Sequence, residues 1–317
     1  MNKKLIVLCI LLVCCMVTIA PLQAASSSNA AQSSPLLKNV SAIYMKDNKK
    51  GWAILTDGSL ISTKDSWADH KRLYTLPSYD KSISYPCISY VNGTLTVYGY
   101  FTSKHETIDI YRSRNEGSTW SIGHIKDPAL KINGTGNIYS SFVNEKNGYL
   151  LSCGGPGLGL MPKLLFHTAD GGRTYKKVTD ISYINGYPTG MVYNKDGTGF
   201  ITTTYHGNTD AYLYTSTDKG KTWKTLTVPS PKGLDYAYIE GLPPYFSGTN
   251  GFMILKYALN NNPIPDYIVF HSTDKGKTWS SMGHLSVSST ISAYCFSSKN
   301  TVYIIDSTGA MTKVKIK

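Results

Sequence analysis

Arginine, glutamate and cysteine are scarce in this chain, and each scarcity removes a class of chemistry. Arg72, Arg112, Arg114 and Arg173 are the four arginines among 317 residues, and Glu106, Glu116, Glu145 and Glu240 are the four glutamates. So few guanidinium groups leave little for bidentate recognition of carboxylate or phosphate. Of six cysteines, Cys9, Cys14 and Cys15 lie near the amino terminus, which leaves Cys87, Cys153 and Cys295. Three is odd, so at most one bridge forms, and with no Cys-x-x-Cys or Cys/His cluster a zinc or dithiol site is not expected. These cysteines read as small buried hydrophobes on strands. The run from Gly154 to Gly159 is followed by neither a Gly-Lys-Ser/Thr triplet nor a helix, so it is not a nucleotide loop. The dense acidic spacing of a calcium loop is missing too. Neither a metal nor a cofactor is expected. No long amphipathic helical period occurs, which argues against an α-helical fold.

Basic residues are plentiful, with 32 Lys and Arg against 20 Asp and Glu and a net charge of +12. Lys3 and Lys4 precede an apolar run from Leu5 to Ala20, and Pro21 to Ala25 supplies a breaker and small residues. This pattern is a secretory signal with cleavage expected after Ala24. The alternatives are an uncleaved signal anchor, and lipid attachment at Cys14 or Cys15, which Val13 opposes because the lipoprotein pattern wants a small residue there. The expected organisation is a signal over residues 1–24, a flexible polar leader over 25–34 and one domain over 35–317, secreted or associated with the cell envelope. Membrane association follows only if the signal is retained or lipidated. Without Lys3 and Lys4 the balance is 30 against 20, or +10. The lysines are scattered, so nucleic acid is not an expected partner, whereas an acidic envelope glycan or protein is.

Four segments repeat: Ser113-Arg-Asn115-Glu-Gly117-Ser-Thr119-Trp120, Thr168-Ala-Asp170-Gly-Gly172-Arg-Thr174-Tyr175, Ser216-Thr-Asp218-Lys-Gly220-Lys-Thr222-Trp223 and Ser272-Thr-Asp274-Lys-Gly276-Lys-Thr278-Trp279. Their spacings of 55, 48 and 56 residues are near the length of a propeller blade. In phase with them, a turn followed by a β-branched or aromatic strand begins at Gly51, Gly93, Gly148, Gly199, Gly251 and Asn300. The expectation is therefore an all-β, six-bladed β-propeller of four-stranded antiparallel sheets. Three strands remain in the last unit, and Leu36 to Val40 is expected to supply its missing outer strand and close the ring.

The repeated segments resemble the Asp-box, or BNR, hairpin found in sialidase-like propellers and in others known as assembly factors for membrane complexes. The copies beginning at Ser216 and Ser272 match in full; Asn115 replaces the aspartate in one copy and Tyr175 the tryptophan in another. The first unit keeps only the echo Ser62 to Trp67, and the last Ser307 to Gly309. The box residues are structural: the carboxylates cap backbone N–H groups, Gly117, Gly172, Gly220 and Gly276 permit positive φ, and the aromatics wedge between sheets.

Strand alternation puts the box turns on one rim together with the first-to-second turns. By resemblance to propeller enzymes, the other rim carries any site. Its loops hold His105, His206, Asn208, Tyr257 and Asn260 as candidate binding residues, with tyrosines offering surface for sugar or protein contact. The resemblance also implies, for a sialidase, three arginines around the substrate carboxylate, but Arg114 and Arg173 lie in box turns and Arg112 just before one. Sialic-acid cleavage is thus not expected. Two carboxyl groups suffice for other glycosidases. Glu240, with Asp210 or Asp266, is the candidate acid/base pair, and a glycoside hydrolase is the alternative to the favoured reading of a binding or assembly module for a glycan or protein.

Overall fold

The computed structural model describes residues 37–76, 86–99, 107–133, 136–155, 161–204, 211–230, 233–287, 289–297 and 301–315. The expected signal and leader lie outside the described residues, as do Leu36, His105, His206, Asn208 and Asp210. The chain folds as an all-β propeller. Its first sheet is β1 (Val40–Met45), β2 (Gly51–Leu55), β3 (Ser59–Thr63) and β4 (Lys71–Thr75) in sequential antiparallel order. The second is β5 (Cys87–Val91), β6 (Thr94–Gly99), β7 (Thr107–Ser113) and β8 (Ser121–Lys126). After a short helix α1 (Pro128–Asn133), the third is β9 (Ile138–Phe142), β10 (Gly148–Cys153), β11 (Lys163–Thr168) and β12 (Lys176–Asp180). The helix starts where Asp127 accepts the Ala129 N–H at 2.9 Å and Pro128 occupies the first turn, and it sends Leu130 into the core.

The six separate four-stranded blades expected from the repeat are not what forms. Strands β13 (Tyr187–Tyr193), β14 (Gly199–Thr204), β15 (Ala211–Ser216), β16 (Lys224–Val228), β17 (Tyr236–Ser247), β18 (Asn250–Leu259), β19 (Asp266–Ser272) and β20 (Ser280–His284) join into one eight-stranded, curled sheet. The final sheet, β21 (Ile291–Ser297), β22 (Thr301–Asp306) and β23 (Met311–Lys315), has three strands. The chain is therefore four separate sheets and a fused one. The fusion has a local cause. A bulge at Pro188–Gly190 turns the Thr189 hydroxyl onto the Gly241 carbonyl and 2.9 Å from the Thr202 hydroxyl, and Thr204 at the end of β14 pairs with Glu240 of β17. Gly190 allows the approach, since a Cβ there would stand 1.8 Å from Pro243 Cγ.

The amino-terminal closing strand is a second correction. Residues 38–39 form a turn, and among the described residues the last sheet receives one backbone bond from this segment, Leu37 N–H to the Gly309 carbonyl at 2.9 Å. The first and last sheets meet instead by side-chain packing: Leu37, Val40, Ile43, Ala53 and Trp67 share a core with Ala293, Tyr303 and Ile305. Polar bonds add to this seam, because Tyr303 donates to the Asn48 carbonyl at 2.8 Å and Ser297 to Asn48 Oδ1 at 3.1 Å.

Second strands such as β10 and β22 are buried at every position, which is why they read as continuous apolar runs. Fourth strands such as β4 and β12 carry exposed lysines on the outside. Each box turn closes on itself. Asp274 Oδ1 accepts from the Ser272 hydroxyl at 2.8 Å and the Thr278 N–H at 2.9 Å, and Oδ2 from the Thr278 hydroxyl at 2.7 Å. Asp218 repeats this set, and Asp170 does so from Thr168 and Thr174. Trp120, Trp223 and Trp279 each donate an indole N–H to the box glycine carbonyl, at 3.1, 3.0 and 3.0 Å. Tyr175, lacking that group, meets Tyr98 hydroxyl to hydroxyl at 3.0 Å. In the first sheet Thr63 and Asp65 form the equivalent turn, but Trp67 occupies the glycine position at φ 69 with its N–H bonded to Thr63 Oγ1 at 2.9 Å.

Candidate functional site

The two rims are fixed by backbone bonds. Ser66, Gly171 and Lys275, all in box turns, donate to the carbonyls of Lys49, Lys146 and Thr249 in first-to-second turns, each at 2.8–2.9 Å. The box turns thus share a rim with the ends of the first strands, as alternation requires.

First strands β1, β5, β9, β13, β17 and β21 line a central cavity of about 450 Å³. Its wall is largely apolar, with Ile43, Ile88, Ile138, Met191 and Pro243 among the lining residues, and Tyr44, Tyr139, Tyr245 and Tyr294, with Asn137, Thr189 and serines, supply its polar groups. No carboxylate and no cation is among the described residues lining it. Asn137 donates to the Tyr139 hydroxyl, which donates to the Pro188 carbonyl, both at 2.8 Å, so the polar groups are oriented before any ligand arrives. Burial pushes the Tyr44 hydroxyl up to about 12, and burial likewise carries Tyr139 and Tyr294 well above their ordinary 10.0. These groups stay neutral donors and acceptors at any physiological pH.

The carboxylates singled out from the sequence are not among the described residues lining this cavity, although the Glu240 charge reaches Tyr139 and Tyr294 and adds to their upward shift. Glu240 on β17 pairs with Lys256 of β18, Oε2 to Nζ at 3.0 Å, with both side chains mostly buried. Asp266 at the start of β19 pairs with His284 Nδ1 at 2.8 Å. The two acids stand on different strands, each with its own partner, and the third candidate, Asp210, lies outside the described residues. Tyr257 corrects an expectation: it belongs to β18 and is fully buried, its ring edge-on to Tyr236 at 5.2 Å, so it is no rim ligand. The apolar alternation of β18 runs on through residue 259 where the sequence suggested a loop. Asn260 is on the surface, bonded through its amide to Asp235, while Asn261 reaches the other oxygen of the same carboxylate at 3.2 Å.

Two features escaped sequence reading. One is the repeat of the Asp266–His284 contact in the second sheet, where buried Asp109 lies 2.7 Å from His124 Nδ1. The signal was an Asp at the head of a third strand opposite a His near the end of the fourth. The other is the tyrosine wall of the channel, foreshadowed by Tyr139 and Tyr294 sitting second and fourth in their first strands. Among the described residues no three His, Cys, Asp or Glu side chains converge as a metal site, and no helix is long and apolar enough to cross a membrane.

No family model matches the chain, and no curated protein matches it. Solved structures do. YCF48 bound to D1 peptide aligns at 13% identity over 89% of this chain and 93% of that one, with a TM-score of 0.54. An α-L-arabinofuranosidase from Fusarium graminearum in complex with an iminosugar inhibitor aligns at 14% identity over 88% and 92%, with a TM-score of 0.54. Aleuria aurantia lectin in complex with α-methyl-L-fucoside aligns at 10% identity over 87% and 90%, with a TM-score of 0.52. At such identities the likeness establishes the propeller fold, which hosts enzymes and binding proteins alike.

Proposed function

We propose that this chain is a secreted or envelope-facing propeller of the Asp-box kind that binds a glycan or protein partner without turning it over, holding it on the rim opposite the box turns. One observation carries the reading: the central cavity offers tyrosine, serine, threonine and asparagine groups set in an apolar wall, with no carboxylate among its described lining residues, while Glu240 is paired with Lys256 and Asp266 with His284. Glycosidic hydrolysis needs two carboxyl groups facing one another across the scissile bond. Neutral hydroxyls and aromatic faces instead suit sugar rings or peptide amides. The range of proteins with this fold, a lectin and a peptide-bound YCF48 among them, is in keeping with that use. The test is capture of cell-envelope fractions by immobilised protein. Replacing His206 and Asn260 together by Ala is expected to reduce capture several-fold, and capture unchanged by that double substitution would remove the rim assignment.

A further inference from the structure

A larger cavity opens on the other rim. About 920 Å³ in volume, it lies where the first strands end, and shares Tyr44, Ser141, Tyr245 and Phe296 with the central cavity beneath it. That volume is within the range of small-ligand sites. Three amines surround it: Lys46, Lys195 and Lys275. Among its described lining residues the only carboxylate is Asp196, and Lys275 already neutralises it at 3.1 Å. Lys46 and Lys195 are exposed and make no ion pair among the described residues. Lys46 stands 5.0 Å over the ring of Tyr90, which stacks on Trp52 at 4.8 Å, so an aromatic platform helps to place its ammonium, whose charge also reaches the Asp47 and Glu116 carboxylates.

The placement of Lys275 is built into the repeat. It occupies the box position before the glycine at φ 62, and its N–H is held by the Thr249 carbonyl at 2.9 Å. The equivalent box residue of the second sheet, Glu116 at φ 61, likewise reaches back to the preceding sheet and pairs with Lys50. The box turn thus aims one side chain at the neighbouring first-to-second turn, and in the fused sheet that side chain is a lysine at the cavity edge. The floor is flat and aromatic, with Tyr245 and Phe296 stacked at 5.7 Å and 15°.

We infer that this mouth is a second binding site, independent of the opposite rim, and that it takes a segment of an anionic polysaccharide. The sugar rings lie on Tyr245 and Tyr44, and the acid groups on Lys46 and Lys195. Carboxylate and phosphodiester glycans share this chemistry, and the amines would hold either as point charges.

The test is direct binding of the full chain to oligogalacturonate, to a glycerol-phosphate-bearing glycan and to neutral malto-oligosaccharide, titrated at low and at 0.5 M salt. At least one acidic glycan is expected to bind, the neutral one much more weakly, and affinity to fall with salt. K46Q/K195Q is expected to weaken binding about tenfold, whereas K221Q/K277Q, with the same loss of charge on the same rim but outside the cavity, leaves it unchanged. Preference between the two acidic glycans identifies the acid group. Equal loss in both double variants, binding of neither acidic glycan, or equally tight lysine-dependent binding of poly-glutamate would each overturn the assignment.

Discussion

Lys256 donates to Glu240 across the β17–β18 pair, Nζ to Oε2 at 3.0 Å, at the residue where Thr204 brings β14 onto β17. Glu240 thus sits in an ion pair at the junction that fuses the two strand sets. Burial works against the Lys256 charge, but the Glu240 carboxylate outweighs it and raises the ammonium above its ordinary 10.5. A raised lysine contributes stability fully below its unfolded value and loses it as pH climbs through the folded one. Glu240→Gln is expected to reduce stability by about 1–3 kcal/mol at neutral pH, because a half-buried ammonium loses its partner. The gap to the parent protein should narrow above pH 10.5, the ordinary lysine value. Chemical unfolding at pH 7 and pH 11 checks this, and a gap independent of pH would separate the pair from the stability.

Asp218 and Asp274 hold their box turns through the hydroxyls and N–H groups of Thr222 and Thr278, which lower both carboxyls from 3.8 to about 2. Depressed carboxylates contribute stability above the unfolded value, and it disappears as pH falls through the folded one. Thermal melts should therefore be flat from pH 7 to 5 and drop between about pH 4 and 2. An acid transition unaffected by Asp218→Asn with Asp274→Asn would assign it to other groups.

Asn115 already shows the neutral solution. Its Oδ1 accepts from Ser113 and from the Thr119 N–H, while its Nδ2 donates to the Thr119 hydroxyl at 2.9 Å, reversing the polarity of that bond. Asn115→Asp is expected to change stability at pH 7 by less than about 0.5 kcal/mol, since the threonine hydroxyl rotates to donate instead. The same variant should become more acid-sensitive than its parent below pH 4. Equal acid sensitivity would show that this turn is not rebuilt as its neighbours are.

Gly276 has φ 85, and a Cβ there would stand 2.7 Å from Phe200 Cζ on the preceding strand set. Gly276→Ala should destabilise the fold by about 2–4 kcal/mol, combining left-handed strain with displacement of a buried ring. Gly93, also at positive φ but with open space around it, is the control. Its alanine variant should lose only about 1 kcal/mol. Urea unfolding of the two variants measures the difference, and equal losses would deny the packing contact.

The ring seam rests on Tyr303, whose hydroxyl donates to the Asn48 carbonyl at 2.8 Å. Tyr303→Phe should lose about 1 kcal/mol, and Leu37→Ala about 2 kcal/mol from the shared core. Hydrogen exchange localised to β1 and β21 would report the same seam. No change in either place would mean the sheets are held elsewhere.

Most of the architecture was legible because it is local. The box turns were readable from Ser, Asp, Gly and Thr at fixed spacing, and the doubly buried second strands from unbroken apolar runs. The fusion of β14 with β17 was not readable, because it depends on a bulge at Thr189 meeting a carbonyl 52 residues away. The seam was misassigned for a related reason: Leu37 looks like a strand residue, yet it is used as a core plug. Tyr257 was misplaced because a turn rich in asparagine follows it closely and hides the last residues of β18. As for the channel, its tyrosine wall needs all the first strands at once, and sequence shows only one at a time.

The central claim, binding without turnover, is tested most directly by mixing purified full-length protein with cell-envelope polysaccharide, arabinan and sialosides and following new reducing ends and free sialic acid alongside retained ligand. The account predicts retention with no release above the no-protein control, and retention unchanged in Glu240→Gln. Steady release that depends on protein concentration and is lost in Glu240→Gln would contradict it and make the propeller a glycosidase.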